Sequence, residues 1–282
     1  MNDDPVIRVD ALLPAEIAAR AAEVGVKKAT LKPINTFVLA VLAGGFVAVG
    51  ALFATLMTAG ASGVLPYGVT RLLFGLAFCL GLILIIVAGA ELFTGNTLIT
   101  IAWASGKVST RAMLRNWLIV YCGNLVGALI TAVLVFLSSE HTYGGGTVGQ
   151  AMLTIAAHKA HVAFGPALVL GILCNALVCI AVWLTMGART TTDKILAILF
   201  PITAFAALGF EHSIANMFFI PAGLLIKQFD PAFVAGLNLD LTSLTLTGFF
   251  NNLIPVTIGN IIGGVVMVGG VYWFVYLRGE RR

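Results

Sequence analysis

Long apolar stretches alternate with short polar punctuation along this chain. Runs of about 20 apolar residues, the length that crosses a bilayer as a helix, begin near Asn35, Val69, Met113, Phe164, Ile195 and Asn251. The pattern predicts six spans. All must be helical, because backbone in lipid has to satisfy its own hydrogen bonds, and any break must be buried in protein or line water. Two of the six carry the same interruption. Gly89-Ala90-Glu91-Leu92-Phe93-Thr94-Gly95-Asn96 and Gly209-Phe210-Glu211-His212-Ser213-Ile214-Ala215-Asn216 share the spacing G-x-E-x-x-x-x-N. Downstream, Asn116, Gly123, Asn124 and Gly127 match Asn252, Gly259, Asn260 and Gly263 at identical spacing. Paired breaks in equivalent apolar segments point to a transport site between two repeats.

The pattern divides the chain into five parts. Residues 1–33 form an amphipathic cytoplasmic segment with a partial helical stripe (Leu12, Leu13, Ile17, Ala21, Val24, Val26), and Pro14 suits a first helical turn. It is expected to pack at the interface or to gate the cytoplasmic mouth. Residues 34–137 hold three spans, 138–162 an external connector with an amphipathic stretch from Val148 to His161, 163–277 three more spans, and 278–282 a tail. Three is odd, so the second unit enters from the opposite side. The expected fold is an all-α membrane bundle, an inverted repeat of three plus three with broken second and fifth helices.

Charge sets the orientation. Arg8, Arg20, Lys27, Lys28, Lys32, Lys107, Arg111, Arg115, Arg189, Lys194, Arg278, Arg281 and Arg282 fall on one side, and only Arg71, Lys159 and Lys227 on the other. Basic residues favour the cytoplasm, which places both termini there. The pI of about 9.0 therefore reports topology and implies no nucleic-acid partner. With 60% hydrophobic and 10% charged residues, the composition excludes an ordinary soluble domain, where roughly 25% are charged. The polar N-terminus is no cleavable signal peptide, so the first span should direct insertion. Cys79, Cys122, Cys174 and Cys179 fall inside spans as packing residues, with no disulfide framework. Gly123 with Gly127 and Gly259 with Gly263 suit close helix approach, within the chain or between copies.

Ionisable groups inside spans are few, and each is costly. They are Glu91, Glu211 and His212. His212 stands at a predicted helix break, where an imidazole can donate a hydrogen bond or hand over a proton. Ser213 and Thr94 are expected to cap the helices that follow the two breaks, whose N-termini attract anions. A bare carboxylate would repel an anion, so Glu91 and Glu211 are expected to be structural, accepting bonds from backbone N–H groups at the breaks; Glu211 beside His212 is alternatively a proton relay. Asn96 and Asn216 complete the motif. Asn175 is a buried amide that either glues helices or reaches the His212 region. Lys159, in His158-Lys159-Ala160-His161, is either a solvated rim lysine or a cation that concentrates anions at an outer vestibule. No cofactor motif and no metal-ligand set accompany these residues.

The strings Gly89–Thr94, Gly209–Met217 and Asn252-Leu253-Ile254-Pro255-Val256-Thr257-Ile258-Gly259-Asn260 closely resemble the formate/nitrite transporter family over nearly the whole chain, and Met217-Phe218-Phe219-Ile220-Pro221 is more similar to its formate channel branch. The resemblance implies an aquaporin-like fold, a homopentamer in the inner membrane with one pore per protomer, and small weak-acid anions such as formate, nitrite, acetate or lactate as substrates. It also implies His212, Thr94, Asn175 and Lys159 along the pore, with apolar constrictions from Phe78, Leu82, Leu92, Phe93, Val178 and Phe205. Gly95-Asn96 departs from the small hydroxyl residue common after the loop threonine.

An apolar slit penalises an ionised carboxylate far beyond thermal energy, and a weak acid escapes by taking a proton. Passage is therefore expected to be passive or proton-coupled, with the proton from His212 or from water ordered by it. A neutral-solute pore shares the architecture but gives no reason for His212 and Lys159. A membrane enzyme lacks a nucleophile–base set, and a scaffold leaves the duplicated breaks without purpose.

Overall fold

The computed structural model describes residues 11–281, whose regular elements are all helices. Arg8 and Arg282, counted above for orientation, lie outside the described residues. In chain order the elements are α1 (Pro14–Thr30), α2 (Pro33–Thr58), α3 (Tyr67–Ala88), the short α4 (Phe93–Asn96) and α5 (Ile99–Ala104), and α6 (Thr110–Leu137). After a turn at Glu140–Gly146 come α7 (Thr147–His161), α8 (Phe164–Gly187), α9 (Thr191–Ala207), α10 (Ser213–Phe229), the short α11 (Pro231–Ala235) and α12 (Leu246–Ile262). A π-helical stretch, Gly263–Gly270, joins α12 to α13 (Val271–Tyr276).

Five helices are long and apolar enough to cross a membrane: α2, α3, α6, α8 and the continuous run Leu246–Tyr276. The sixth crossing is divided between α9 and α10, 17 residues each. Leu118, Leu134 and Phe200 leave 66%, 60% and 76% of their surface uncovered. Apolar exposure on that scale belongs against lipid or another subunit.

Local chemistry explains where the helices start and stop. Pro14 opens α1, and Glu16 accepts a bond from the Leu13 amide at 2.8 Å. Ser109 caps α6 by accepting from Ala112 N, and Thr245 caps α12 by accepting from Gly248 N. Thr190 and Asp193 form a reciprocal capping box on α9. The two broken crossings stop for one reason: Gly89 after α3 and Gly209 just past α9 have φ of +83° and +77°, a backbone that side chains with a Cβ rarely adopt.

The repeat is visible in the packing. α2 lies on α3 and α6, as α8 lies on α9 and α12. A Cβ on Gly123 would press on the Phe37 carbonyl of α2, and one on Gly259 on the Leu168 carbonyl of α8; Gly127 and Gly263 face Val41 O and Ile172 O in the same way. These motif glycines therefore serve helix contact within the chain. The correspondence extends one helix ahead of each three-span unit. Lys28 O in α1 accepts from Asn116 Nδ2 of α6, and Lys159 O in α7 accepts from Asn252 Nδ2 of α12. α1 meets the start of α6, where Arg115 donates to Ala29 O, whereas α7 follows its end. The two helices thus occupy opposite faces of the bundle.

Candidate functional site

Each break is held by an asparagine from the third span of its repeat. Asn124 Nδ2 donates to Ala40 O (2.7 Å) and Glu91 O (2.9 Å), and its Oδ1 accepts from Phe93 N at 2.9 Å. Asn260 repeats this on Gly171 O (2.8 Å), Glu211 O (3.0 Å) and Ser213 N (2.9 Å). Helix ends leave backbone groups without intrahelical partners, and buried ones must be satisfied elsewhere. One side-chain amide, donor and acceptor at once, does this twice per break and ties it to the neighbouring span with a third bond.

The carboxylates have different partners from those expected. Glu91 Oε1 accepts from Lys28 Nζ at 2.7 Å, and its Oε2 from Asn96 Nδ2 at 2.6 Å. Glu211 Oε1 accepts from Lys159 Nζ at 2.9 Å, and its Oε2 from Asn216 Nδ2 at 2.6 Å and Asn252 Nδ2 at 3.2 Å. Asn116 Oδ1 and Asn252 Oδ1 accept from Asn96 and Asn216 in turn. The expected bonds from backbone N–H groups are therefore corrected: asparagines take the backbone, and the glutamates carry a charge that partly buried ammonium groups balance. Lys159 is correspondingly no solvated rim residue, since its side chain is only 13% exposed.

The capping expectations also change. Ser213 Oγ accepts nothing from α10 and has no partner. His212 caps instead, its Nδ1 accepting from Ala215 N at 3.2 Å. With Nδ1 as acceptor, the neutral ring carries its proton on Nε2, and Nε2 lies 2.9 Å from Thr94 Oγ1. Thr94 therefore does not cap α4; its hydroxyl joins the first break to the second. Asn175 Nδ2 donates to Thr94 O (3.2 Å), Thr97 Oγ1 (3.2 Å) and Asn260 O (2.6 Å). It glues helices, and it reaches His212 only through Thr94. All four of Thr94, Asn175, Ser213 and Asn216 are fully buried.

Two cavities flank this bond. The wider, about 1290 Å³, has Lys159, Glu211, His212, Phe78, Phe205 and Arg71 in its wall. Phe78 meets Phe205 edge-on at 5.4 Å, and Phe205 leans on the His212 ring at 5.9 Å. On the α1 side a cavity of only about 50 Å³ is lined by Leu82, Leu92, Gly95, Val182 and, from α1, Gly25 and Lys28. Val178 is buried on α8 and lines neither cavity. Phe93 differs from expectation: its ring meets Tyr121 at 4.9 Å and Trp117 at 6.3 Å and lines an apolar groove of about 1240 Å³ instead. The reason is that Phe93 directly follows the residue facing the cavity, so on the first turn of a helix its side chain turns outward.

Two residues and one contact escaped the sequence analysis. Lys28 was one basic residue among thirteen. Its pairing with Glu91 was hidden because it precedes Glu91 by 63 residues, while Lys159 precedes Glu211 by 52. Arg71 was counted only for orientation, yet it donates through Nε to Ala207 O at 2.7 Å and through Nη2 to Ala206 O at 2.6 Å. The Thr94–His212 pair spans 118 residues and left no periodic trace. Among the described residues no cluster of three or more His, Cys, Asp or Glu could hold a metal.

Comparison with known proteins gives a single family. The model of the formate/nitrite transporter family matches residues 15–274. The formate channel FocA of Escherichia coli (strain K12) is 47% identical over 274 residues, covering 95% of this chain and 96% of that one. A solved structure described as a pentameric formate channel with formate bound superposes with a TM-score of 0.81 at 45% identity, over 87% of this chain and 98% of the other. The aquaglyceroporin from Plasmodium falciparum, at 15% identity and a TM-score of 0.54 over 87% of this chain and 98% of that one, shares the fold alone.

Proposed function

The chain belongs to the formate/nitrite transporter family, and on that premise we propose that it passes formate across a membrane. The alternative reading is a pore of the same family for nitrite or another small monovalent anion such as acetate, lactate or hydrosulfide. The observation that carries the reading is the 2.9 Å Thr94–His212 bond, which joins the two breaks between a wide vestibule and a small apolar cavity.

The anion enters the vestibule and reaches the floor formed by Phe78, Phe205 and His212. Beyond it stand Leu82 and Leu92, and desolvation there raises the proton affinity of a carboxylate. Formic acid therefore crosses as the neutral species. Its proton comes from water held by that pair, or from His212 when vestibule water has protonated the ring to the imidazolium, which returns to the neutral form as the proton leaves. Asn175 fixes the Thr94 loop, and Lys159, Glu211 and Asn216 fix the second break, as Glu91 and Asn96 fix the first.

Among the described residues, basic residues number eleven on the α1 side against three on the other, which supports a cytoplasmic α1, both termini cytoplasmic, and placement in the inner membrane. α1 then closes the cytoplasmic mouth in this conformation, because Ala21, Val24, Gly25 and Lys28 wall the small cavity. The apolar groove lined by Trp117, Tyr121, Phe249 and Phe250 supports assembly into a homopentamer, in which a neighbouring subunit covers it.

The test is formate uptake into proteoliposomes at external pH near 5 and near 7, with nitrite as competitor. Flux above empty liposomes that changes with pH is expected, and competition ranks the substrates. His212→Phe should remove the pH dependence; unchanged pH dependence in that variant would sink the histidine's role.

A further inference from the structure

Resting on the transport reading, the charges around the vestibule sharpen the question of what attracts the anion. Three formally charged side chains stand in its wall, Arg71, Lys159 and Glu211. Lys159 is matched by Glu211 at 2.9 Å, so the pair contributes little net field beyond its own length. Arg71 has no acidic partner among the described residues. Its hydrogen bonds go to the carbonyls of Ala206 and Ala207, the last two residues of α9, and its guanidinium lies 5.3 Å from the Phe74 ring centre.

α9 is 17 residues long, and its C-terminus points into the vestibule. A helix C-terminus carries about half a negative charge. Left bare, that end would repel an anion from the very wall that contains the second break. A guanidinium bonded to its terminal carbonyls cancels the partial charge and leaves a surplus of roughly half a positive charge. The opposite break lacks this feature. By the repeat correspondence that pairs Gly89 with Gly209, Thr191 stands where Arg71 does. Among the described residues, no side chain donates to the matching carbonyls of Ile86 and Val87 at the end of α3.

We propose that Arg71 is the vestibule's anion-capturing and selectivity-setting residue: it reverses the sign of the α9 C-terminus and concentrates small monovalent anions in front of His212. Lys159 then acts chiefly as the counter-charge of Glu211. Arg71 is a positioning residue in one further respect, because its Nη2 lies 3.3 Å from where a Cβ on Gly209 would stand, so it also braces the turn of the second break. The two roles separate experimentally, since a field is screened by salt and a brace is not.

Formate uptake is measured against formate concentration in proteoliposomes at pH 7, for wild type, Arg71→Gln and Arg71→Lys, at ionic strengths of about 10 mM and about 500 mM, where screening lengths are near 30 Å and a few Å. Arg71→Gln keeps donors and removes the charge. Its half-saturating concentration should rise about 3- to 10-fold at low ionic strength, with maximal flux retained, and the difference should collapse at high salt. Arg71→Lys should stay near wild type in half-saturation. An unchanged half-saturation in Arg71→Gln, or an equal loss of maximal flux at both salts in Gln and Lys variants alike, would overturn the inference while leaving formate transport standing. Wild type that passes neither formate nor nitrite would overturn the transport reading, and this inference with it.

Discussion

The two breaks are nearly the same object built twice. In each, an asparagine of the third span satisfies three backbone groups, a glutamate is held by a lysine from the preceding amphipathic helix, and a second pair of asparagines links the carboxylate to that lysine's carbonyl. Of the five motif positions at which they differ, two matter for the bond between the breaks. Where the second break has His212 the first has Leu92, and where the first has Thr94 the second has Ile214. Those two exceptions meet at 2.9 Å. Symmetry supplies the frame, and the positions that depart from symmetry carry the chemistry. The frames also differ in depth: the Lys28 and Glu91 side chains are 27% and 9% exposed, those of Lys159 and Glu211 13% and 2%.

The largest effects should come from breaking what the copies share. Asn124→Ala and Asn260→Ala each strand two buried backbone groups at a break, and unsatisfied groups of this kind cost about 1–3 kcal/mol apiece, with less in bundles that find new partners. Both variants should lose about 4 kcal/mol, read from unfolding of the purified protein in detergent. The copies should part in function: Asn260→Ala frees Ser213 N beside His212 and should abolish pH-dependent uptake, whereas Asn124→Ala should weaken it. Equal stability loss with equal loss of pH dependence would deny that the second break is the chemical one.

The depth difference gives the next effect. Removing Lys159 strands a fully buried carboxylate, and breaking a buried pair costs about 3 kcal/mol or more. Lys28 and its partner are nearer solvent, so Lys28→Met should cost only about 1 kcal/mol. Combining Lys159→Met with Glu211→Gln should restore most of the loss in a double-mutant cycle. A cost for Lys28→Met as large as for Lys159→Met would show that the outer pair is not the more buried in the membrane.

The duplicated motif made most of this frame legible. Identical spacing exposed Glu91 with Asn96, Glu211 with Asn216, and the later asparagines and glycines, because those contacts are fixed by helix periodicity inside one repeat. Lys159 was singled out, but the pairing of each lysine with its glutamate was hidden, because two spans with loops of different length separate the partners. Thr94 and His212 were both singled out, but their contact is made across the repeat axis, where no spacing rule applies. Phe93 was misplaced because a residue's neighbour in sequence says little about which side of a helix start it faces. Arg71 escaped because its partners are carbonyls, and backbone acceptors leave no mark in a sequence.

The unique contact itself should give a smaller stability effect and a clear functional one. Thr94→Val keeps the shape and deletes the hydroxyl, leaving His212 Nε2 without its partner; about 1–2 kcal/mol should be lost. Uptake at pH 7 should fall about tenfold or more, and Thr94→Ser should recover much of it. A Thr94→Val protein with wild-type flux would show that the imidazole works without the loop hydroxyl.

The smallest effect tests whether the helices ahead of the two repeats are anchored alike. α1 is tied at its start by a long Leu12 N to Gly187 O bond of 3.4 Å. Ahead of α7, by contrast, buried His141 places Nε2 3.1 Å from Asp230 Oδ2, its ring stacked on Phe136 at 5.3 Å and edge-on to Phe233 at 5.4 Å. Asp230 also caps α11 by accepting from Phe233 N. The hydrogen bond from His141, then that from Phe233, holds the Asp230 carboxyl below its usual range. A carboxyl with a depressed folded-state pKa stabilises at pH above its unfolded value, about 3.9, and loses that contribution as pH falls through the lower folded value. Asp230 is a solvent-facing group, so Asp230→Asn should lower the unfolding midpoint only slightly at pH 7 and pH 5, and the difference should shrink as pH falls below the unfolded value toward the depressed folded one. A gap that persists undiminished at pH 3 would mean that the carboxylate's charge is irrelevant and that the ring stack alone fixes the start of α7. In that case the anchoring of α7 would be apolar, and the contrast with α1 would lie in packing rather than in charge.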